Sequence, residues 1–183
     1  MVPIKGVDLL ADVIRSAAQN PFLLFVVVGD GPERDKFARL TDGCDNIRPL
    51  GWQKDVLPFL KASDIVLLTS INEGTPTSLI EAMFAGKPFV ATDAGGTSDL
   101  AIGLHDSGKP EIQAAENGFI VERKANAIVD CLIRLQQDLS LRNAMGRRGG
   151  LHATQNWNST RLLAEMRQLY HDLSGRKSRS QAV

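Results

Sequence analysis

This sequence contains few cysteines and few aromatic residues, and its formal net charge is zero. Its 183 residues include only two cysteines, and 21 basic side chains balance 21 acidic ones. Cys44 and Cys131 lie too far apart in the chain to form a metal or redox motif, so we expect two reduced thiols of a cytoplasmic protein. The zero net charge argues against a protein that binds nucleic acid through its phosphates.

Long apolar runs and a leader segment are absent as well. The longest apolar runs, at 22–28 and 65–68, fall far short of the ~18 residues that a membrane-spanning helix needs. The first residues lack a basic region followed by an apolar core, so no secretion signal is predicted. Hydrophobic residues still make up 43% of the chain, which is enough for a packed core.

Several catalytic motifs are missing. The sequence has no GxxxxGK(S/T) phosphate loop and no GxSxG nucleophile elbow, which argues against a P-loop nucleotide hydrolase and an α/β-hydrolase. No Asp-x-Asp pair is present to clamp a metal–diphosphate complex, and His105, His152 and His171 lack the spacing of zinc ligands. The sequence therefore predicts neither a bound metal nor a cofactor.

Helical and strand patterns alternate along the chain. Apolar spacing predicts helices at 7–18, 32–40, up to 62, at 76–85 and from 125 onward. Continuous apolar runs predict strands at 22–28 and 64–69, and further strands are predicted at 46–50, 87–92 and 117–121. Because these runs do not alternate with polar residues, we expect strands covered on both faces in a Rossmann-like, doubly wound parallel α/β sheet. Residues 1–173 are predicted to form this domain, with an exposed excursion at 103–116 and a polar, basic, frayed tail at 174–183.

The loop after the predicted strand 64–69 carries the strongest signal of chemistry. Thr75 can cap the following helix, and Pro76 suits its first position. The amides of Thr77, Ser78 and Leu79 would then point into the loop, and free amides at a helix N-terminus bind phosphate. The sequence therefore predicts a phosphate site at the start of this helix.

Two glutamates flank the predicted phosphate site. Glu73 precedes it beside Gly74, and Glu81 lies one turn beyond Thr77 on the same face of the helix. Carboxylates on both sides suit a ligand that carries hydroxyl groups at both ends of a diphosphate, such as a ribose and a sugar. The alternative is that Glu73 only complements the helix dipole and that Glu81 is a solvated helix residue.

Three further loops offer groups to the same ligand. Lys5 is either a point charge for a diphosphate or a solvated lysine. Residues 29–32, which begin with Gly29, resemble a dinucleotide fingerprint only superficially because the third glycine is missing, and a tight turn explains them better. Gly95 and Gly96 either allow the backbone to approach a ligand closely or form a simple turn.

In their order along the chain, these motifs resemble the C-terminal, donor-binding half of GT-B glycosyltransferases of family 4, the glycosyl transferases group 1. The most specific stretch is ASDIVLLTSINEGTPTSLIEAMFAGKPFVATDAGG at 62–96. Supporting segments are KGVDLL at 5–10, FVVVGDGP at 25–32, IRPLGWQKDV at 47–56, ENGFIV at 116–121, LSLRNAMGRRG at 139–149 and the late Trp157. The resemblance implies a retaining hexosyltransferase that uses a nucleotide-diphosphate sugar as donor and needs no metal.

The resemblance also implies roles for individual residues. Glu73 matches the glutamate that contacts the donor sugar, and Glu81 matches the one that binds the ribose hydroxyls. Lys5 matches a lysine that neutralises the leaving diphosphate, so Glu73 and Lys5 are the implied catalytic residues. The other implied donor-binding residues are Gly29, Gly51, Trp52, Gln53, Gly74, Thr75, Thr77, Ser78, Leu79, Gly95 and Gly96, of which 51–53 would hold the nucleobase.

The family has parts that this sequence does not contain. A strand with a diphosphate-binding arginine is expected before Lys5, where only MVPI stands. A missing N-terminal domain is expected to bind a sugar, lipid-linked or other hydroxyl acceptor, so the isolated chain is expected to be inactive. The full enzyme is expected to be cytoplasmic, with peripheral association at the inner membrane face. A non-catalytic nucleotide-sugar-binding fragment or subunit and a GT-B nucleotide-sugar epimerase remain alternative interpretations.

Overall fold

The computed structural model describes the backbone of residues 1–180 and the side chains of residues 1–174, and its helices and strands alternate as predicted. The strands are β1 (Phe25–Val28), β2 (Ile47–Gly51), β3 (Val66–Leu68), β4 (Phe89–Thr92), β5 (His105–Lys109), β6 (Ile112–Ala115) and β7 (Gly118–Val121). The α-helices are α1 (Val7–Ser16), α2 (Arg34–Leu40), α3 (Leu57–Ala62), α4 (Thr77–Phe84), α5 (Ala125–Gln137), α6 (Leu139–Asn156) and α7 (Ser159–Ser180). The α/β class is therefore confirmed.

The strands form two sheets. β1 and β2 pair in parallel, and the second sheet has the order β3-β4-β7-β6-β5. β3, β4 and β7 are parallel to one another, whereas β6 and β5 continue the sheet antiparallel. The parallel pair β1-β2 and the parallel strands β3-β4-β7 are the arrangement of a doubly wound fold, and within the described residues no strand joins β1 to β3.

The chain start bridges the two sheets at the carboxyl ends of β1 and β3. The Met1 ammonium donates to the carbonyl of Asp30, just after β1. The Ile71 amide, just after β3, donates to the carbonyl of Ile4 at 2.8 Å. In the described residues no strand pairs with the second edge of β1, and Val26 keeps 49% of its surface exposed. The prediction that β1 is covered on both faces is therefore wrong for this strand.

Side chains from β4 and β7 alternate between two apolar cores. Val90 and Phe119 lie in the core that α1 and α5 cover. Phe89 and Ile120 point to the other face, where they pack with residues of α4 and α6. Because these strands are buried on both faces, as expected for a doubly wound sheet, they hold the loops at their carboxyl ends in fixed positions.

The predicted excursion at 103–116 is largely a hairpin of the sheet. β5 is mostly exposed, but β6 pairs with β7 and buries Ile112, Ala114 and Ala115. The sequence analysis missed β6 because its few apolar residues follow a long polar stretch, so no extended pattern marks the strand. The description of residues 103–116 as exposed is therefore wrong for β6.

The remaining differences concern the ends of elements. The strand predicted from residue 22 begins at Phe25, and Phe22 and Leu24 are exposed. Trp157 lies between α6 and α7 as predicted. α7 continues through Ser180, so the predicted frayed tail is helical as far as the structure describes it, and residues 181–183 lie outside the described part. Among the described residues, no helix combines the length and apolar character that a bilayer crossing requires.

Candidate functional site

Loops that follow the parallel strands meet along one edge of the fold. After β1, the Gly29 amide donates to the carbonyl of Gly51, at the end of β2, at 2.8 Å. After β4, the Gly96 amide donates to the carbonyl of Glu73, in the loop that follows β3, at 3.0 Å. Lys5 lies between these two pairs of loops and binds Glu73. Ligands of doubly wound folds bind at this carboxyl edge.

Glu73 is the centre of a small polar cluster at this edge. Its Oε1 atom accepts hydrogen bonds of 2.6 Å from the Lys5 ammonium and of 2.6 Å from the Ser70 hydroxyl. The Glu73 side chain is 12% exposed, whereas that of Lys5 is 47% exposed. Burial by itself would raise the pKa of Glu73, but the hydrogen bonds from Lys5 and Ser70 and the charge of Lys5 lower it below its ordinary value of 4.5. Glu73 is therefore a carboxylate at neutral pH.

Replacing Glu73 by glutamine is expected to remove a pH-dependent part of the stability. Because folding lowers the pKa of Glu73, the carboxylate stabilises the folded chain above pH 4.5, and this contribution is lost as the pH falls through the lower folded value. The difference in unfolding free energy between the wild type and Glu73→Gln, measured by urea titration, should therefore shrink on acidification.

The control for this measurement is Glu165→Gln. Glu165 forms an exposed surface ion pair with Arg161, and such pairs contribute little to stability. Its effect should be small at every pH. A Glu73→Gln difference that stays constant from neutral to acid pH would contradict the ion pair between Lys5 and Glu73.

The start of α4 leaves two amides free. The helix begins at Thr77, with Pro76 in the capping position and no side-chain cap, so the prediction that Thr75 caps it is wrong. The extended ψ of Pro76 puts its own carbonyl at the start of the helix, where it accepts from the Leu79 amide at 3.0 Å. Among the described residues, the amides of Thr77 and Ser78 have no hydrogen-bond partner. Two of the three amides predicted for phosphate are thus available.

Glu81 lies on α4 one turn beyond Thr77. Its side chain is exposed and accepts no hydrogen bond within the part of the chain that the structure describes. Residues four apart in a helix share a face, so its carboxylate projects from the same side of α4 as the Thr77 hydroxyl. This position leaves the carboxylate free to accept hydrogen bonds from a ligand.

Gly95 and Gly96 approach protein backbone. A Cβ atom on Gly96 would lie 2.0 Å from the carbonyl oxygen of Gly74, and one on Gly95 would lie 2.1 Å from that of Glu73. The two glycines begin a 3-10 helix (Gly95–Leu100) that packs against the Glu73–Gly74 loop. The close approach that glycine permits at these positions is therefore to the loop that carries Glu73.

The loop after β2 contains the residues that the resemblance assigns to the nucleobase. Gly51 ends β2, and Trp52 is 70% exposed. The side-chain amide of Gln53 donates to the carbonyl of Leu50 at 2.9 Å, which ties the loop to the end of β2. An exposed aromatic ring at this edge can stack on a planar base.

The sequence analysis missed two residues of this edge. Ser70 is fully buried and binds Glu73. Arg123 follows β7 and donates to backbone carbonyls at the end of β3. The signal that could have found Arg123 is a charged residue within two positions of the end of a buried strand, where ligand-binding loops begin.

Comparison with known proteins tests the resemblance. A family model described as "Glycosyl transferases group 1" matches residues 1–138. This chain belongs to the glycosyl transferases group 1 family. The assignment made from the motifs at 62–96 and around them is thereby confirmed.

Two sequence relatives have assigned activities. The chain is 28% identical over 152 residues to the N-acetyl-alpha-D-glucosaminyl L-malate synthase of Bacillus anthracis, an alignment that covers 81% of this chain and 37% of the relative. It is also 28% identical over 181 residues to the UDP-Gal:alpha-D-GlcNAc-diphosphoundecaprenol alpha-1,3-galactosyltransferase of Escherichia coli. This second alignment covers 93% of this chain and 43% of the relative. The chain thus spans about two fifths of the length of these relatives.

A solved structure has the same fold. In the crystal structure of a variant of S. aureus TarM with Fondaparinux, alpha-GlcNAc-glycerol and UDP, the matching region superposes with a TM-score of 0.79 at 25% identity. The match covers 93% of this chain and 34% of TarM. The fold is that of one half of a GT-B glycosyltransferase.

Proposed function

We propose that this chain is the donor-binding part of a retaining glycosyltransferase that transfers a sugar from a nucleotide-diphosphate sugar to a hydroxyl acceptor. The observation that carries the proposal is the Lys5–Glu73 ion pair at the carboxyl edge, in the loop that leads to the two free amides of α4. The E. coli relative is named for UDP-Gal, and the TarM crystal contains UDP. A uridine-diphosphate sugar is therefore the first donor to test.

The charges of the site suit the diphosphate of such a donor. The amides of Thr77 and Ser78 lie at the positive end of the α4 dipole, and Lys5 adds a full positive charge. Groups that are already oriented toward a developing negative charge stabilise a leaving diphosphate without a metal. This part of the site would make the diphosphate a better leaving group.

The two carboxylates suit the sugar and the ribose. Oε1 of Glu73 is occupied by Lys5 and Ser70, which leaves Oε2 to accept from the sugar hydroxyls. Glu81 would accept from the ribose hydroxyls. In the proposed retaining step, the bond from the anomeric carbon to the diphosphate oxygen breaks, the acceptor oxygen bonds to that carbon on the same face, and the acceptor proton passes to the leaving diphosphate. Glu73 positions the sugar and forms no bond to it.

The acceptor would be held by a separate N-terminal domain that forms the other wall of the cleft. We include in the proposal a peripheral position of the complete enzyme at the inner membrane face, with a sugar, lipid-linked or other hydroxyl acceptor. The E. coli relative, which by its name acts on a diphosphoundecaprenol substrate, supports this class of acceptor.

Replacing Glu81 by alanine is expected to weaken nucleotide binding. Hydrogen bonds to a charged group contribute about 1.5–3 kcal/mol, so the affinity for UDP should fall at least about tenfold, as measured by titration calorimetry with UDP and GDP. Glu165→Ala, at an exposed position of α7, serves as the control and should bind like the wild type. Equal affinities of Glu81→Ala and the wild type for UDP would contradict the proposed contact of Glu81 with the ribose.

A non-catalytic nucleotide-sugar-binding subunit is the second candidate. It is favoured by the split between the two sheets, where β1 and β3 each pair on one edge only within the described residues. A transfer assay with the 183-residue chain, UDP-sugar and a small hydroxyl acceptor separates the candidates, because turnover by the chain alone would contradict this one. NMR of the product sugar would also report the anomeric configuration and reveal any epimer.

A further inference from the structure

Arg123 connects strands that are not neighbours in the sheet. It follows β7, which pairs with β4, and β4 in turn pairs with β3. The Arg123 Nη1 atom reaches past the end of β4 and donates hydrogen bonds of 2.8 Å to the carbonyl of Thr69 and of 2.8 Å to the carbonyl of Ser70, at the end of β3. One guanidinium nitrogen thus holds two successive peptide groups.

The peptide groups that Arg123 holds carry the side chains that orient the ion pair. The Ser70 hydroxyl donates to Glu73 at 2.6 Å, and the Thr69 hydroxyl donates to the carbonyl of Lys5 at 3.1 Å. The buried Thr92 hydroxyl also donates to the carbonyl of Ser70, at 2.6 Å. Lys5 and Glu73 are therefore each hydrogen-bonded to a residue whose backbone carbonyl accepts from Arg123.

Gly6 makes room for this contact. A Cβ atom on Gly6 would lie 2.2 Å from the carbonyl oxygen of Thr69 and 3.2 Å from Nη1 of Arg123. Gly6 has a φ of 65°, which side-chain-bearing residues rarely adopt. Charged donors form the stronger hydrogen bonds to carbonyl oxygens, and a guanidinium keeps its charge at every physiological pH. The absence of a side chain at Gly6 thus leaves space for the Arg123 guanidinium at the end of β3.

We propose that Arg123 is a positioning residue of the donor site, which fixes the Thr69–Ser70 backbone so that Ser70 and Lys5 hold Glu73 in one orientation. The contact with a donor sugar rests on the proposed function. The effect of Arg123 on Glu73 does not, because it concerns the protein without ligand. The two parts can therefore fail separately.

The test compares Arg123→Met with a matched arginine elsewhere. Arg142 also places Nη1 on two successive carbonyls, those of Leu135 at 3.1 Å and Gln136 at 3.4 Å, at the end of α5. Arg142→Met removes the same kind of contact away from Glu73, together with an ion pair of 3.4 Å to the exposed Asp64. Arg123→Lys keeps the charge with fewer donors and serves as the conservative variant, and also as the substitute if Arg123→Met does not fold.

The first measurement needs no ligand. The carboxyl carbon of Glu73 is titrated by NMR in the full 183-residue chain, with Glu73→Gln to assign its signal. Lys5 is the charged group in direct contact with Glu73. Arg123→Met should raise the pKa of Glu73 toward its ordinary value of 4.5, Arg123→Lys should raise it less, and Arg142→Met should leave it unchanged.

The second measurement uses UDP and UDP-galactose as probes. Arg123→Met should lower the affinity for UDP-galactose about fivefold, as expected for one lost hydrogen bond, and leave that for UDP unchanged. In a double-mutant cycle, Arg123→Met should add little to the effect of Glu73→Gln, because both act on the same contact. If Arg123 only stabilised the fold, the effects of Arg123→Met and Glu73→Gln would be additive, and the affinities for UDP and UDP-galactose would both fall.

The outcomes separate the two proposals. A wild-type chain that binds neither probe while Arg123→Met still shifts the Glu73 titration would refute the proposed function and keep the positioning role. An unchanged Glu73 titration in both Arg123 variants, or an equal shift in Arg142→Met, would overturn the positioning role. Additive losses in the cycle would overturn it as well.

Discussion

Replacing Phe119 by alanine is expected to lower the free energy of unfolding by about 3–5 kcal/mol, the range for a large buried aromatic side chain. Phe119 is fully buried in the middle of β7, and the Arg134 guanidinium lies 5.3 Å from the centre of its ring. Truncation would leave a cavity between the sheet and α5 that the buried strands on either side cannot close. Guanidinium denaturation followed by circular dichroism would measure the loss.

The control for Phe119 is a phenylalanine outside the core. Phe84, at the end of α4, keeps 50% of its surface exposed. Its replacement by alanine should cost only about 1 kcal/mol, because half of the side chain remains in water and no enclosed cavity is left. Similar losses at the two positions would show that β7 is not a central, doubly covered strand.

Replacing Gly96 by alanine is expected to cost at least about 3 kcal/mol and to weaken UDP binding. The new Cβ would lie 2.0 Å from the carbonyl oxygen of Gly74, so one of the two backbone segments must move. Added atoms in a tightly packed place typically cost about 1–3 kcal/mol, and more when backbone is displaced. Because the displaced loop carries Glu73 and leads to α4, the affinity for UDP should fall in parallel with the stability.

Gly74→Ala is the matched control, because Gly74 is the other side of the same contact. No atom lies within 4 Å of a Cβ atom built on Gly74. This variant should keep nearly the stability of the wild type, as judged by the same denaturation experiment. If Gly96→Ala were as stable as Gly74→Ala, the 3-10 helix that begins at Gly95 would not pack against the loop after β3.

The short apolar stretches at 87–92 and 117–121 predicted β4 and β7 well, because a strand that is buried on both faces does not alternate with polar residues. The same reasoning failed for β1. Its apolar residues are as continuous as those of β4, yet Val26 is half exposed. The apolar pattern indicates which residues prefer burial, but whether they are buried depends on the elements packed around the strand. Within the described residues, β1 pairs with β2 on one edge and has no partner strand on the other.

The helix start at α4 was predicted only in part. The Thr-Pro pattern correctly located the N-terminus within one residue, but Pro76 and not Thr75 stands in the capping position, and no side chain caps the helix. Which residue stands before the first helical residue depends on the ψ angle of Pro76, and the surrounding loop sets this angle. A propensity rule cannot include that angle.

The residues of this chain by themselves determined its α/β class and the family to which it belongs, and they predicted a phosphate site in the loop before α4. Those properties reside in short stretches, where spacing, proline, glycine and hydroxyl groups act on their immediate neighbours. Only the tertiary structure decided that Lys5 and Glu73 are joined as an ion pair, that Gly96 supports Gly74, and that Arg123 reaches the end of β3. Each of these contacts joins segments far apart in sequence, and they meet because the order of strands in the sheet brings their carboxyl ends together.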